Sequence, residues 1–317
     1  MTSPTPDDFR VGIATKFQNL VDHVFYFCYN AVKFAANKKA SLPFIIFQGE
    51  NQMHVVTKYP DGVFSWVDLM SSNVKAAKAF YSELFGWEAE DMPIDMGGVY
   101  TMFKLAGKQV AGMGELSAEM QEQGVPSNWT SYVNHGDIDG VAARVTEAGG
   151  TLILPPMDVM EEGRMAMFQD PTGAVVGVWQ PKNHIGAQLV NMHNTLVWNE
   201  LQTRDTETAK TFFNAVFGWT YDTDASGYVT ISQDGRRHAG MMQIDESWGE
   251  VPSNWSVYFF VENVETAVSS VQELGGNVLM PPTPAGEIGK FSVVQDPSGG
   301  VFTVMEFNGP TDPPPGA

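Results

Sequence analysis

A single cysteine, Cys28, stands in 317 residues, so neither an intramolecular disulfide nor a thiolate metal site can form. That economy suits a reducing compartment, and a cytoplasmic location is expected. Cys28 lies among Phe25, Tyr26 and Phe27 and reads as a small hydrophobe rather than a nucleophile. Basic residues are also scarce: 18 Lys and Arg face 37 Asp and Glu, a formal charge of −19. An acidic surface repels phosphate backbones and anionic lipid heads, so neither nucleic acid nor a membrane is an expected partner. No apolar run approaches the ~18 residues that span a bilayer. The opening, Met1 to Arg10, lacks the basic end and apolar core of a secretory signal.

What is present, instead, is a repeat. Trp66-Val67-Asp68-Leu69 aligns with Trp198-Asn199-Glu200-Leu201, and Phe85-Gly86-Trp87 with Phe217-Gly218-Trp219. Ala111-Gly112-Met113 returns at 239–241, Pro126-Ser127-Asn128-Trp129 at 252–255, Gly149-Gly150 at 275–276, and Asp170-Pro171-Thr172-Gly173 as Asp296-Pro297-Ser298-Gly299. The offset falls from 132 through 128 to 126. This places a four-residue deletion between Trp87 and Tyr100 and a two-residue deletion between Met113 and Pro126. Both intervals are rich in Gly, Pro or Glu and read as loops, where a duplicated fold tolerates length change.

Within each copy the rhythm is βαβββ, twice. Val63 to Met70 reads as a strand. Asn73 is a candidate helix cap, Ala76, Ala77, Phe80, Tyr81, Leu84 and Phe85 follow at helical spacing, and Gly86 ends the run. Strands are expected near 99–105, 109–116 and 129–135, a helix over 137–148, and strands near 151–154, 164–169 and 174–180. The second copy predicts helices at 205–217 and 263–274. The expected organisation is an extension over 1–61, a first domain over 62–182, a linker over 183–191, a second domain over 192–308 and a Pro-rich tail over 309–317.

The strand leading into Asn73-Val-Lys-Ala-Ala-Lys-Ala-Phe-Tyr-Ser-Glu-Leu-Phe-Gly-Trp87, and the Asp170-Pro-Thr-Gly173 turn entering a last strand, resemble the vicinal oxygen chelate superfamily of glyoxalase I, bleomycin resistance proteins and extradiol dioxygenases. Both pieces occur twice, in order, and the resemblance covers residues 62–308. The linker Trp179-Gln-Pro-Lys-Asn-His184-Ile-Gly-Ala is similar to that of a tandem glyoxalase-like group. The resemblance implies an α+β fold, with four βαβββ units curling into half-open barrels around ligand sites. It also implies a divalent metal, held by residues early in the first strand, early in the fifth and late in the eighth.

Carried over position by position, those sites fall on Trp66, Thr130 and Gly177 in the first copy and on Trp198, Ser256 and Thr303 in the second. None is an imidazole or carboxylate, and an indole offers only an N–H donor. No metal and no other cofactor is therefore expected. His135, His184, His193 and His238 show no ligand spacing either. His135, alternating with Val133, is expected on the helix side.

Strand alternation fills the cups differently. Trp66, Asp68, Tyr132 and Trp179 face inward in the first copy, and Trp198, Glu200 and Tyr258 in the second. Each cup is aromatic with one carboxylate near its middle, and such a carboxylate needs water, a ligand or a partner such as Arg164. Asp170 and Asp296 read as turn residues. The reading from sequence is a protein that binds a small aromatic or cationic molecule, with those seven side chains as its contacts, acting as a monomer or homodimer. Two alternatives stay open. One is a lyase, isomerase or dioxygenase acting on a small oxygenated substrate, with Asp68 or Glu200 as catalytic base. The other is a structural duplicate whose aromatics close the core.

Residues 1–52 differ in composition. They hold five basic and four acidic residues, a net of +1, against 18 − 5 = 13 basic and 37 − 4 = 33 acidic elsewhere, a net of −20. The segment is expected to be dispensable, with Met53 as an alternative start. The competing reading is an amphipathic helix near 16–36.

Overall fold

The computed structural model describes residues 54–94 and 98–315. The expectations for residues 1–52 fall outside the described residues.

The first half contains β1 (Phe64–Ser71), α1 (Val74–Phe85), β2 (Glu88–Pro93), β3 (Val99–Leu105), β4 (Lys108–Glu115), α2 (Ala118–Glu122), β5 (Asn128–Asn134), α3 (Ile138–Glu147), β6 (Thr151–Val159), β7 (Gly163–Gln169) and β8 (Val175–Pro181). The second repeats it. It runs β9 (Leu196–Thr203), α4 (Thr206–Phe217), β10 (Thr220–Thr223), β11 (Val229–Gln233), β12 (Arg236–Gln243), a single 3-10 turn at Glu246–Trp248, β13 (Asn254–Phe260), α5 (Val264–Glu273), β14 (Asn277–Ala285), β15 (Gly289–Gln295) and β16 (Val301–Phe307). Each half closes its own eight-stranded mixed sheet, ordered β2-β3-β4-β1-β5-β8-β7-β6 and β10-β11-β12-β9-β13-β16-β15-β14. The central pairs β1–β5 and β9–β13 are antiparallel, and β4, β8, β12 and β16 run parallel to them.

Local chemistry sets the elements. Asn73 accepts from the Ala76 amide at 3.1 Å and caps α1, and Gly86 in the left-handed region ends it. The loop expected between Trp87 and Tyr100 instead contains β2. That strand is an exposed charged edge with no apolar face to betray it, and two of its residues are held by Lys78 to Asp91 and Lys104 to Glu90. The four-residue deletion shortens this hairpin, and the two-residue deletion falls where α2 gives way to the 3-10 turn.

The sheets pair within halves, but the cores do not. Phe80 and Phe85 of α1 pack on Phe259 and Phe302 of the second half. Reciprocally, Phe212, Phe213 and Phe217 of α4 pack on Phe168 of the first. The repeated Gly-Gly serves this exchange. Gly149 and Gly275 take positive φ and end α3 and α5. A Cβ on the next residue would meet a phenylalanine of the other half, Phe212 at 2.8 Å from Gly150 and Phe80 at 3.0 Å from Gly276.

The expected extension joins the fold at its described end. Val56 and Tyr59 are buried, the Val56 amide donates to Gln188 O at 2.9 Å, and the Tyr59 hydroxyl donates to Ala187 O at 2.6 Å. These residues hold down the linker, which itself lies along β4 through reciprocal bonds between Gln109 and Gln188. The tail past β16 does the same in the second half: Asn191 donates to Asp312 O, Arg237 pairs with Asp312, and Arg236 donates to Pro313 O. It is a packed strap.

Candidate ligand-binding cups

Register places the cup residues in rows. Trp66 pairs with Tyr132, and Tyr132 with Gly177, so one row crosses β1, β5 and β8; Asp68 and Thr130 form the next. In the second half Trp198, Tyr258 and Thr303 form the corresponding row, with Glu200 and Ser256 beside it. Trp66 and Trp198 thus hold equivalent inward positions, as expected.

Each constellation is completed by a tyrosine that strand alternation did not single out, Tyr100 in the first and Tyr228 in the second. The Trp66 indole donates to the Tyr100 hydroxyl at 3.1 Å. Tyr100 and Tyr132 both donate to the Asp68 carboxylate, at 3.4 and 3.2 Å. In the second cup Trp198 donates to Tyr228 at 3.0 Å, Tyr228 to Glu200 at 3.0 Å and Tyr258 to Glu200 at 2.8 Å; Gln202 adds a bond at 3.2 Å. Each tyrosine on β3 or beside β11 lies over a glycine of the neighbouring strand. A Cβ on Gly112 or Gly240 would come within 1.8 Å of the hydroxyl oxygen. The signal was in the repeat: Tyr100 and Tyr228 share the offset of Gly112 and Gly240.

The carboxylates are therefore partnered by phenols, not by an arginine. Arg164 is spent at the surface on Asp139, at 2.6 Å, and on Asp158. Burial pushes Asp68 up to about 7, against the pull of Tyr132 and Tyr100. Burial raises Glu200 as well, opposed by Tyr258, Gln202 and Tyr228. The same burial, with the nearby carboxylates, drives all four phenols well above their ordinary range.

The two cups differ in how they are closed. Trp66 is 4% exposed and Trp179 7%. Between them stands His184 of the linker, edge-on to Trp66 with ring centroids 4.4 Å apart and 5.6 Å from Trp179, whose indole donates to His184 O at 2.8 Å. His184 Nδ1 meets Gln109 Oε1 at 3.0 Å, and burial lowers the imidazole to about 4, so it is neutral. In the second cup the position of Trp179 is Met305 and that of His184 is the exposed Pro310. Trp198, Tyr228 and Tyr258 are accordingly half-buried rather than closed over. Both cups hold the same carboxyl–phenol–indole network, and Tyr100 and Tyr228 are half-buried alike, but Trp66 and Tyr132 are buried in the first cup where Trp198 and Tyr258 are half-buried in the second.

The remaining histidines stand apart. His135 lies on the helix side as expected, 3.3 Å from Arg144 of α3. His193 lies tilted against Phe260, and His238 is buried against Phe64 and Trp219, where burial lowers it to about 3.

The residues do not suit the divalent metal that the resemblance implies. At the three ligand positions stand an indole donor, a hydroxyl and a glycine or threonine. The one carboxylate in each cup already accepts two phenolic bonds. Among the described residues no three His, Cys, Asp or Glu side chains gather into a site that could hold an ion. Asp170 and Asp296 organise turns, each accepting from amides two and four residues on.

Tandem βαβββ units, each half forming one cupped eight-stranded sheet around an inward-facing polar-aromatic site, define a class of small-molecule binding and metal-assisted folds. The chain belongs to the Glyoxalase/Bleomycin resistance protein/Dioxygenase superfamily, whose model matches residues 63–178 and 193–304. It is 36% identical over 255 residues to the Mycobacterium bovis protein named "Putative glyoxylase CFP32", covering 79% of this chain and 97% of that one. It is 34% identical over 271 residues to the anthracycline biosynthesis protein DauV of Streptomyces sp. (strain C5), covering 80% and 96%. Among solved structures, the 2,3-dioxygenase LapB from Pseudomonas sp. KL28 superposes with a TM-score of 0.56 at 17% identity over 81% of this chain and 96% of that one. The Mn(II)-bound glyoxalase from Novosphingobium aromaticivorans does so at 0.55 and 17%, over 80% and 85%. At those identities the structures share the fold alone. Among the described residues no helix is long and apolar enough to cross a membrane.

Proposed function

We propose that the chain binds a flat aromatic small molecule in its second cup without the help of a metal. The carrying observation is the asymmetry of two otherwise matched networks. The first is stopped by its own Trp179 and His184, which leave Trp66 and Tyr132 buried, whereas the second leaves the Trp198 and Tyr258 rings half-buried around a satisfied Glu200. Rings held by hydrogen bonds at their edges offer rigid faces for stacking at small entropic cost. A carboxyl whose charge burial disfavours and which already accepts two phenols is a poor seat for a cation, so an aromatic ligand is favoured over a cationic one. Two relatives are named as anthracycline biosynthesis proteins, and anthracyclines are flat fused-ring aromatics; a ligand of that shape suits the second cup.

The test is native mass spectrometry and metal analysis of freshly purified protein, followed by two substitutions. Trp66→Ala should cost roughly 3–5 kcal/mol, because the ring is packed. Trp198→Ala should cost much less and abolish aromatic binding. One tightly held equivalent of metal, or binding that survives Trp198→Ala, would remove this reading.

A second reading has one observation behind it: a carboxyl with a raised pKa, hydrogen-bonded to two phenols in a half-buried cup, has the makings of a proton donor to a bound substrate. Turnover of a co-purified ligand that Glu200→Gln abolishes, with binding intact, would favour it.

A further inference from the structure

The repeat also aligns the mouths of the two cups residue by residue. In the first copy the ring closing the cup, His184, is met by the side-chain carbonyl of Gln109. At the offset of 128 Gln109 becomes Arg237. It stands on β12, on the far side of an irregularity at Ile231/Ser232 from Gly240, the glycine beside the Trp198 indole. Where the first copy holds a neutral ring on an amide, the second offers a guanidinium.

That guanidinium is not bare. Arg237 Nη2 donates to Asp312 Oδ1 at 2.8 Å, with side chains 63% and 40% exposed. Asp312 arrives on the tail strap, which Asn191 holds at Asp312 O, 2.9 Å, and Arg236 at Pro313 O, 2.5 Å. A solvent-exposed pair of this kind contributes little to stability and exchanges readily. The chain thus lays its own carboxylate on the arginine that stands where a cup-closing ring finds its polar partner. The planar fork of arginine is matched to carboxylates and does not lose its charge. The chain as a whole carries −19, yet Arg236 and Arg237 are adjacent, and beyond about 8 Å the remaining charge is screened at physiological salt.

We propose that the ligand of the second cup is an aromatic carboxylate, or an aromatic carrying an equivalent oxyanion, whose ring lies on Trp198 and whose anion displaces Asp312 from Arg237. This rests on the second cup being the ligand site. Arg237 is then the residue that selects charge, and the tail an internal competitor that sets affinity.

The experiment titrates the full chain with three matched probes, 2-naphthoate, 2-naphthamide and 2-naphthylmethylamine, at constant ionic strength. Naphthoate should bind about tenfold tighter than naphthamide, as one charge-assisted bond would give. Arg237→Gln should bring naphthoate down to the amide's affinity and leave the amide unchanged. Asp312→Asn should tighten naphthoate several-fold, and thermal melts of both surface variants should match the parent. Equal binding of naphthoate and naphthamide, or an Arg237→Gln variant with undiminished preference, overturns the proposal while an aromatic cup survives. Binding of all probes that ignores Trp198→Ala overturns the cup instead, and failure of every probe to bind removes both.

Discussion

Tyr81 shows what one hydroxyl does for a core. It donates to Asp296 Oδ2 at 2.7 Å and receives the Trp129 indole N–H at 3.0 Å, tying α1 to a turn in the other half. Its repeat partner is Phe213. The corresponding atoms of the second site, Asp170 Oδ2 and Trp255 Nε1, are both buried without a hydrogen-bond partner. A buried polar atom left unpaired costs ~1–3 kcal/mol. Phe213→Tyr should therefore stabilise the protein by about 1–3 kcal/mol in urea unfolding, since one oxygen satisfies a donor and an acceptor; Tyr81→Phe should destabilise by a similar amount. No gain on Phe213→Tyr would mean that the hydroxyl does not reach both atoms. A second residue-scale prediction concerns Asp68. Its folded pKa, about 7, lies above the unfolded value near 3.8, so folding favours the neutral form. That stability is fully present below about pH 4 and is lost as pH rises to about 7, a fall of roughly 4 kcal/mol if the shift is fully expressed. The exposed carboxylates with lowered values, among them Asp91, Asp139 and Asp158, act in the opposite sense and at lower pH. Subtracting the pH profile of Asp68→Asn from that of the parent isolates the term; a flat difference between pH 4 and 7 would refute it. The cup residues were legible because strand alternation has period two and the repeat marks each position twice. The phenols at 100 and 228 were not, because their contact with the carboxylate crosses three strands.

At the scale of elements, legibility tracked how strongly a segment's face is buried. α1 was readable from its cap, its apolar stripe and its terminal glycine, all of which the structure uses. β1 and β5, buried along nearly their whole length, were expected as strands over 63–70 and near 129–135. β2 was invisible because Glu88-Ala-Glu-Asp-Met-Pro93 is an exposed, charged edge with no apolar alternation. β6 runs to Val159, past the point where the expected strand stopped, because Pro155 and Pro156 fall on an edge strand and at a shift in register, the places a sheet tolerates proline. The linker and the tail could not be assigned as straps, since neither has a periodicity. Their roles emerge only in three dimensions: on leaving β8 or β16, each returns along the strand bearing Gln109 or Arg237. The same topological device thus lays an imidazole on Gln109 in one half and a carboxylate on Arg237 in the other.

In the whole molecule α1 and α4 each pack across to the opposite half. The repeat suggested two domains joined by a linker, and the sheets respect that division. The apolar cores do not. One contains α1, β1 and β4 residues together with Val257, Phe259, Phe302 and Val304; the other contains α4, β11 and β12 residues together with Phe168, Val176 and Val178. Polar bonds cross in the same way. Trp87 donates to Asn194 O at 2.8 Å, Trp219 to Gly62 O at 2.7 Å, Arg144 to Val216 O at 2.8 Å, and Ser131 to Asn199 at 2.6 Å. Separating the halves would bare the phenylalanine stripes of α1 and α4, each side chain losing ~1.5–3 kcal/mol of burial, and would leave these donors and acceptors unpaired. A unit of about 130 residues has only ~5–15 kcal/mol of stability to lose. The chain should therefore unfold as one cooperative unit, with calorimetric and van't Hoff enthalpies equal for residues 54–315. Segments 54–190 and 191–315, expressed alone, should be aggregated or molten, and should recover native near-ultraviolet dichroism only when mixed. Two resolved transitions, or either segment folding alone with a sharp melt, would show that the exchange of helices is packing between independent domains and not the basis of the fold.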